Sequence, residues 1–385
     1  MSTLLVYDWL PATYHYIDGE PDDAFTQWVY MHRTEATLNP NGPFPHCVAE
    51  GYDWCEDYYF DLGNPTVRQR RVNYLVQEVR ALGYDGLFFD WGNSLFLEDP
   101  AYATMRAAYE SRHPDLPYDR AIALFIQALR EAGLRVQTNQ GYRDAAALLP
   151  YLDYDASESM GTTDMDLGRE LEVVGLGRVA VPDTIYYPNS PDFRQGSLED
   201  TLAVWRDMQR QAEWFAGPDF HGIVHLNYAA PLWEPQTAPR GYVPRAPRNA
   251  IWYNYALARL FDQVTYTEIP WDHRLERDEV YFYDLGTPVE ATYRSLGEGG
   301  YVRYYTQGLV LVGAWPSPTI LTLRHPSLPA EGIAYDAYTK APLALHTPHT
   351  LRLKVTPEID PVTGHAAPTG RVILYWVPTA DLEGP

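Results

Sequence analysis

Two acidic residues each end a strand-forming segment, and together they could perform acid/base chemistry. Asp90 ends the run Leu87-Phe88-Phe89, and Glu158 ends a segment that begins at Tyr151. A charged side chain directly after a buried strand loses hydration, and this cost needs a compensating contact or a function. One carboxyl group can protonate a leaving oxygen while the other attacks carbon or activates water, so the pair fits cleavage of a glycosidic bond. Taken singly, Asp90 could instead cap a helix or pair with an arginine, and Glu158 could be an ordinary solvated carboxylate.

Polar and aromatic side chains follow the other predicted strands in the same way. The hydroxyl groups of a sugar need hydrogen-bond donors and acceptors, and its C–H faces stack on aromatic rings. Carboxylates, amides and aromatic rings at one mouth therefore suit a carbohydrate ligand. The predicted substrate-binding residues are Asp8, Trp9, Asp61, Trp91, Asn93, Asn139, Gln140, Tyr142, Tyr186, Asn227, Tyr228 and Glu268.

The elements that must position these residues alternate between strand and helix over the first 270 residues. Asn64-Pro65 predicts a capped helix that ends at Gly83, and helical spacing recurs before Gly133, over 198–215 and over 249–261. This alternation predicts a parallel sheet, and about eight units predict a closed (β/α)8 barrel, a TIM barrel. The predicted strands are 4–8, one within 44–61, 84–90, 134–138, 151–158, 178–184, 221–227 and 263–268.

The pattern changes after Trp271, where short β-rich segments are separated by Gly and Pro. They predict a C-terminal all-β sandwich. We therefore expect a catalytic barrel over residues 1–275 and an accessory β-sandwich over residues 276–385.

The net charge of −22 disfavours nucleic acid and anionic membranes as partners. About −20 of it lies in residues 1–280, which suits a cationic or neutral partner, although acidity can also serve solubility alone. No signal peptide and no run long enough to span a membrane is evident, so we expect a soluble protein, extracellular if a signal was removed. Cys47 and Cys55 could form a disulfide or stay free thiols, and no metal site or cofactor is expected. The oligomeric state stays open.

Four segments carry a resemblance to a known family: Asn64-Pro65, the run from Gly83 to Trp91, Thr138-Asn139-Gln140-Gly141-Tyr142, and Ser157-Glu158-Ser159. Over residues 55–160 the chain resembles the barrels of the endo-α-1,4-polygalactosaminidase type and related hypothetical glycosyl hydrolase families. The resemblance implies a nucleophile at Asp90, an acid/base at Glu158, a sugar site lined by Asn139 and Gln140, and a retaining reaction. The C-terminal segments resemble the β-sandwich that ends many glycosidase barrels and supports them.

Two rival functions follow from the same residues. The barrel could bind carbohydrate without cleaving it, keeping its aromatic rings but lacking a competent acid pair. It could also be a metal-dependent hydrolase that uses His221 and His225. Four strand positions span about 13 Å, too far for two ligands of one ion, so the sequence disfavours the metal-dependent function.

Overall fold

A computed structural model provides the structure of the chain. It describes residues 4–13, 23–41, 58–98, 100–158, 162–166, 170–173, 177–180, 184–188, 198–228, 246–268, 279–297, 299–346, 348–357 and 369–375. The chain divides into two compact units, of which the first is Met1–Ser157 with Met208–Ile223 and the second is Glu158–Asp207 with Val224–Pro385.

Strands and helices alternate along the first 268 residues. The helices are α1 (Ala24–Met31), α2 (Arg33–Ala36), α3 (Pro65–Leu82), α4 (Ala103–Arg112), α5 (Tyr118–Glu131), α6 (Ala145–Leu148), α7 (Leu198–Phe215) and α8 (Ala246–Leu260). The strands are β1 (Leu5–Trp9), β2 (Gly86–Asp90), β3 (Arg135–Asn139), β4 (Tyr154–Glu158), β5 (Thr162–Asp166), β6 (Glu170–Val173), β7 (Gly177–Ala180), β8 (Thr184–Pro188), β9 (Gly222–Tyr228) and β10 (Val264–Glu268).

Parallel strands in the order β1-β2-β3-β4 form the sheet of the first unit. Trp9 is in register with Asp90, Phe89 with Thr138, and Asn139 with Ala156. The carboxyl ends of these strands therefore lie along one edge of the sheet, as the sequence predicted. The predicted parallel α/β arrangement is confirmed in this part of the chain.

Helix α3 shows how local sequence places strand β2. The Asn64 side chain accepts a hydrogen bond from the Thr66 amide at 2.9 Å, and Pro65 occupies the first helical position. Gly83 ends the helix in the left-handed region at φ 71°, which a residue without Cβ adopts at little cost. The spacing of Val72, Leu75, Val76 and Val79 predicted one apolar face, and the structure buries Val72, Leu75 and Val79 in the core with β2 and α5, with Val76 packed against it.

The second unit contains a parallel pair and two antiparallel pairs of strands. In the parallel pair of β9 and β10, Tyr228 is in register with Glu268. The antiparallel pairs are β5 with β8 and β6 with β7. The predicted barrel strand 178–184 overlaps β7 and the start of β8, which belong to these antiparallel pairs. The connection of three residues between β6 and β7 contains Gly175, which is a hairpin signal that the prediction did not use.

The rest of the second unit is a curled antiparallel sheet in the order β11-β12-β13-β18-β15-β16-β17-β14. These strands are β11 (Arg294–Gly297), β12 (Gly300–Tyr304), β13 (Gly308–Gly313), β14 (Thr319–Arg324), β15 (Gly332–Asp336), β16 (Ala341–His346), β17 (Thr350–Val355) and β18 (Thr369–Leu374). One face of β12, β13 and β18 packs on α8, in a core that includes Trp252, Val310 and Val372. The opposite face meets β14 and β17 in a second core that includes Leu311, Leu323 and Leu353. The predicted C-terminal β domain is confirmed, as an eight-stranded antiparallel sheet.

Other predictions about the fold remain predictions. The described parallel strands do not complete an eight-stranded barrel, and the boundary between residues 275 and 276 is not tested. Cys47 and Cys55 lie outside the described residues. In the part of the chain that the structure describes, no helix has the length and apolar character to cross a membrane, and no cluster of three or more His, Cys, Asp or Glu side chains could hold a metal ion.

Candidate active site

The carboxylate of Asp90 stands at the carboxyl end of β2, and three donors hold it. The Tyr7 hydroxyl donates to Oδ2 at 2.9 Å, while the Asn139 amide group and the backbone N–H of Trp91 donate to Oδ1, each at 2.9 Å. The side chain is half-buried. Asp90 is therefore an oriented carboxylate that remains open to a ligand, at the place where the sequence predicted it.

Asn139 is the last residue of β3, and a buried carboxylate organises the turn that follows it. Oδ1 of Asp155 accepts hydrogen bonds from the Thr138 hydroxyl at 2.9 Å and the Gly141 amide at 2.8 Å. Oδ2 accepts from the Tyr142 amide at 2.7 Å. Gln140 takes a left-handed conformation at φ 63°, so the chain reverses tightly between these donors. Asp155 thus fixes the turn that brings Asn139 to Asp90.

The protonation of Asp155 depends on the balance of two opposing effects. The side chain is fully buried, and burial disfavours its charged form. Its hydrogen bonds, which also include one from the Ala156 backbone, favour that charged form. Burial prevails and raises the pKa of Asp155 to about 7. The turn that carries Asn139 is consequently linked to a group that titrates near neutral pH.

Two tryptophans lie beside Asp90. Trp91 follows it directly, is 45% exposed and adopts φ 52°, a conformation that is unfavourable for a bulky residue. Its ring meets that of Trp9 edge to face, with centroids 6.4 Å apart. An exposed aromatic ring held in a strained backbone conformation is typical of a ligand site.

Asp8, next to the last residue of β1, is held by an ion pair. Oδ2 of Asp8 pairs at 2.9 Å with Arg71, which is itself 2% exposed. The Arg71 guanidinium also donates to the carbonyls of Trp9 and Leu10 and lies 4.2 Å from the ring centroid of Phe60. These contacts give Asp8 a structural partner. Whether Asp8 also touches a substrate, as the sequence predicted, stays a prediction.

Both carboxylate oxygens of Asp61 have side-chain partners, a histidine and an arginine. Oδ1 lies 2.8 Å from Nε2 of His113, and Oδ2 lies 3.1 Å from Nη1 of Arg112. The side chain is buried. Its compensating partners come from the end of α4, more than fifty residues away in the chain, so its burial does not by itself require a ligand. A role in substrate binding stays a prediction.

Two further predicted residues lie in the segments that follow β2 and β3. Asn93 is buried, and its Oδ1 accepts from the Leu95 amide at 3.0 Å, which starts the next turn. Tyr142 is buried beside Arg143, and burial raises the pKa of its hydroxyl. Both belong to the segments that carry Trp91 and Asn139, although neither presents much surface to a ligand.

The remaining predicted residues lie within or at the end of strands whose backbone is described, but their side chains are not. These residues are Glu158 in β4, Tyr186 in β8, Asn227 and Tyr228 in β9, and Glu268 in β10. Residues 156 and 158 are alternate residues of β4 and therefore belong to the same face of the strand. Ala156 is in register with Asn139. The roles predicted for these five residues stay predictions.

His225, a candidate for the metal-dependent rival, occupies a closed environment. It is fully buried and stacks on Trp205, with ring centroids 3.5 Å apart. Burial lowers its pKa to about 3, and Nε2 hydrogen-bonds to the Gln263 side chain. This histidine is therefore a neutral side chain of the core.

Sequence reasoning missed Tyr7, Arg71 and Asp155 as supports of the site. Asp155 had no local signal, because its donors Gly141 and Tyr142 lie 14 and 13 positions away in the chain and reach it only through the pairing of β3 with β4. Tyr7 and Arg71 had none either, since each is brought to its partner only by the pairing of distant segments.

Comparison with known proteins gives structural neighbours only. No family model matches the chain, and no curated protein matches it. Three similar solved structures are the glycoside hydrolase domain of PelA from Pseudomonas aeruginosa (19% identity, 72% of this chain and 81% of that chain, TM-score 0.38), a noncanonic maltogenic α-amylase, AmyB, from Thermotoga neapolitana (11%, 97% and 78%, 0.47) and an α-amylase from Lactobacillus plantarum (11%, 94% and 76%, 0.43). All three are glycoside hydrolases. Since every TM-score is below 0.5, the side chains of the site carry the functional proposal.

Proposed function

We propose that the chain is a glycoside hydrolase in which Asp90 is the nucleophile and Glu158 the acid/base. The observation that carries the proposal is the carboxylate of Asp90, which is oriented by Tyr7, Asn139 and the Trp91 amide and remains half-exposed. A carboxylate aimed by fixed donors is prepared to approach an anomeric carbon, because little reorganisation is needed during the reaction.

The aromatic pair beside Asp90 fits a sugar ring. Trp91 offers an exposed face, and a pyranose presents C–H groups that stack on such a face. Gln140, which is half-buried next to Asn139, supplies a donor and an acceptor for hydroxyl groups, while the buried Asn139 amide holds Asp90. We infer that the sugar bound at the cleaved bond lies over this part of the edge.

Glu158 enters the proposal through its place at the end of β4. Parallel strands end on one edge of their sheet, and β3 lies between β2 and β4. Glu158 would donate a proton to the leaving oxygen while Asp90 attacks the anomeric carbon. Water activated by the deprotonated glutamate would then release the sugar with retention of configuration.

The charge of the chain favours an amino-sugar polymer as the substrate. Residues 1–280 carry about −20 of the net charge of −22, so a partly cationic chain is attracted to them. We propose a (β/α)8 barrel over residues 1–275 as the catalytic part and residues 276–385 as an accessory domain.

The test compares the wild-type chain with Asp90→Asn and Glu158→Gln on amino-sugar and neutral polysaccharides. An enzyme loses turnover in both variants and keeps its affinity for the polymer, since the isosteric amides preserve the shape of the site. If the chain only binds carbohydrate, neither the wild type nor either variant hydrolyses a polysaccharide, and both variants keep the wild-type affinity. NMR of the first-formed anomer decides between retention and inversion, and an inverted product would remove the nucleophilic role from Asp90.

A further inference from the structure

The outward surface of β14 and β17 concentrates positive charge in an otherwise acidic chain. Arg324 on β14 and Arg352 and Lys354 on β17 are exposed, while the alternate residues of both strands enter the core. These three are among the seven Lys and Arg residues of 281–385. The basic face, as we call it, consists of Thr322, Arg324, His346, Thr350, Arg352 and Lys354.

The strand register brings the cations together. Thr322 is paired with Arg352, and Arg324 is paired with Thr350. The two arginines are therefore diagonal neighbours, about 7–8 Å apart at their Cα atoms. His346 on β16 is paired with Thr350 and extends the same row. All residues of the basic face except Lys354 line a depression of about 490 Å³ together with Pro348.

No carboxylate neutralises this charge among the described residues. The lining of the depression contains no Asp or Glu, and no ion pair of the described part involves Arg324, Arg352 or Lys354. Like charges at this spacing repel one another, and an anion between them relieves the repulsion. The concave shape and the charge together fit a negatively charged ligand.

We propose that the basic face binds the carboxylate groups of an acidic saccharide chain. An arginine guanidinium binds a carboxylate through two parallel hydrogen bonds, and the exposed hydroxyl of Thr322 can pair with a sugar hydroxyl. That the ligand is a saccharide rests on the proposed function, and this acidic saccharide is a second ligand, distinct from the amino-sugar polymer proposed as the substrate.

Two other classes of anionic partner fit the face less well. Single-stranded nucleic acid is bound by stacking bases on aromatic rings, and the basic face has no such ring apart from His346. Anionic membranes are bound by clusters of about four to eight Lys and Arg, and the face has three. Both become outcomes of the test.

The test measures binding of oligogalacturonate to the full chain by titration calorimetry at low and physiological salt. The variant Arg324→Gln/Arg352→Gln removes both arginines. Its matched control, Arg120→Gln/Arg135→Gln, makes the same change in charge at exposed positions of the first unit. We expect salt-sensitive binding by the wild type, at least tenfold weaker binding by the first variant and unchanged binding by the control. A neutral maltooligosaccharide should not bind at this face.

Several outcomes would overturn the proposal. They are no binding of oligogalacturonate by the wild type, equal weakening in both double variants, and tighter binding of single-stranded RNA or phosphatidylserine vesicles through the same arginines. The Asp90→Asn variant separates this proposal from the proposed function. If the wild type hydrolyses no polysaccharide while Asp90→Asn still binds oligogalacturonate through Arg324 and Arg352, only the proposed function fails.

Discussion

The side-chain amide of Asn139 donates a hydrogen bond of 2.9 Å to Oδ1 of Asp90, and this contact links the ends of β3 and β2. The Trp91 amide donates to the same oxygen. A carboxylate that receives two donors on one oxygen has little freedom to rotate. Under the proposed function, Asn139 controls the direction from which Asp90 approaches the sugar.

Removing this amide should therefore slow the reaction more than it weakens binding. For Asn139→Ala we expect kcat to fall about 10- to 100-fold, since a hydrogen bond to a charged group contributes about 1.5–3 kcal/mol. Steady-state kinetics on the polysaccharide identified in the screen measure the effect. Asn73→Ala, on the surface of α3, serves as the control. If KM rises while kcat is unchanged, Asn139 binds substrate and does not position Asp90.

Much of the site's framework could be predicted from sequence because local signals determine it. The cap at Asn64-Pro65, the stop at Gly83 and the apolar run before Asp90 together fix α3 and β2, and the structure has both. Such signals act within a few residues. They need no knowledge of what lies opposite in the fold.

The partners of the buried carboxylates could not be predicted, because they come from distant parts of the chain. Asp8 meets Arg71 across 63 positions, and Asp61 meets Arg112 and His113 across 51 and 52. Sequence shows that a charge is buried, but not which cation compensates it. The antiparallel pairs β5 with β8 and β6 with β7 were missed for another reason, because the segment 178–184 was assigned to the βα repeat and the hairpin signal at Gly175 was not used.

The raised pKa of Asp155 predicts a distinct dependence of stability on pH. Its pKa is about 7 in the folded state and near its ordinary value of 3.8 when unfolded. Between these values the folded chain binds more protons than the unfolded chain. The contribution of Asp155 to stability is therefore fully present below about pH 4 and is lost as pH rises to about 7.

This dependence can be isolated by substitution. Between about pH 4 and 7, Asp155 lowers the free energy of unfolding by up to about 1.4 kcal/mol per pH unit. In Asp155→Asn that component disappears, so stability should fall less steeply with rising pH than in the wild type. Urea denaturation at several pH values provides the measurement, with the exposed Asp115→Asn as control. Parallel curves for Asp155→Asn and the wild type would contradict a pKa near 7.

The buried Arg71 should be essential to the stability of the first unit. Its loss leaves Oδ2 of Asp8 and the carbonyls of Trp9 and Leu10 without their arginine donor. We expect Arg71→Leu to lower the free energy of unfolding by about 3–5 kcal/mol, as when one partner of a buried ion pair is removed. Urea denaturation measures this loss.

Arg135→Leu, at an exposed position of β3, is the control for Arg71→Leu. The double variant Asp8→Leu/Arg71→Leu tests the cause, because it removes the unpaired charge as well. It should be more stable than Arg71→Leu alone. An equally unstable double variant would show that packing of the arginine on Phe60, and not its charge, is what matters.

The ring of Trp91 should strengthen sugar binding, whereas the backbone conformation of this residue should lower stability. At φ 52° a bulky residue is strained, whereas glycine adopts this conformation readily. The variants Trp91→Gly and Trp91→Ala lose the same ring, so KM should rise about 3- to 10-fold in both. They differ in the backbone, and Trp91→Gly should be more stable than Trp91→Ala by about 1 kcal/mol. Kinetics and urea denaturation of the pair give both quantities. If the alanine variant equals or exceeds the glycine variant in stability, the backbone at Trp91 is unstrained, and the conformation does not mark a site built for a ligand.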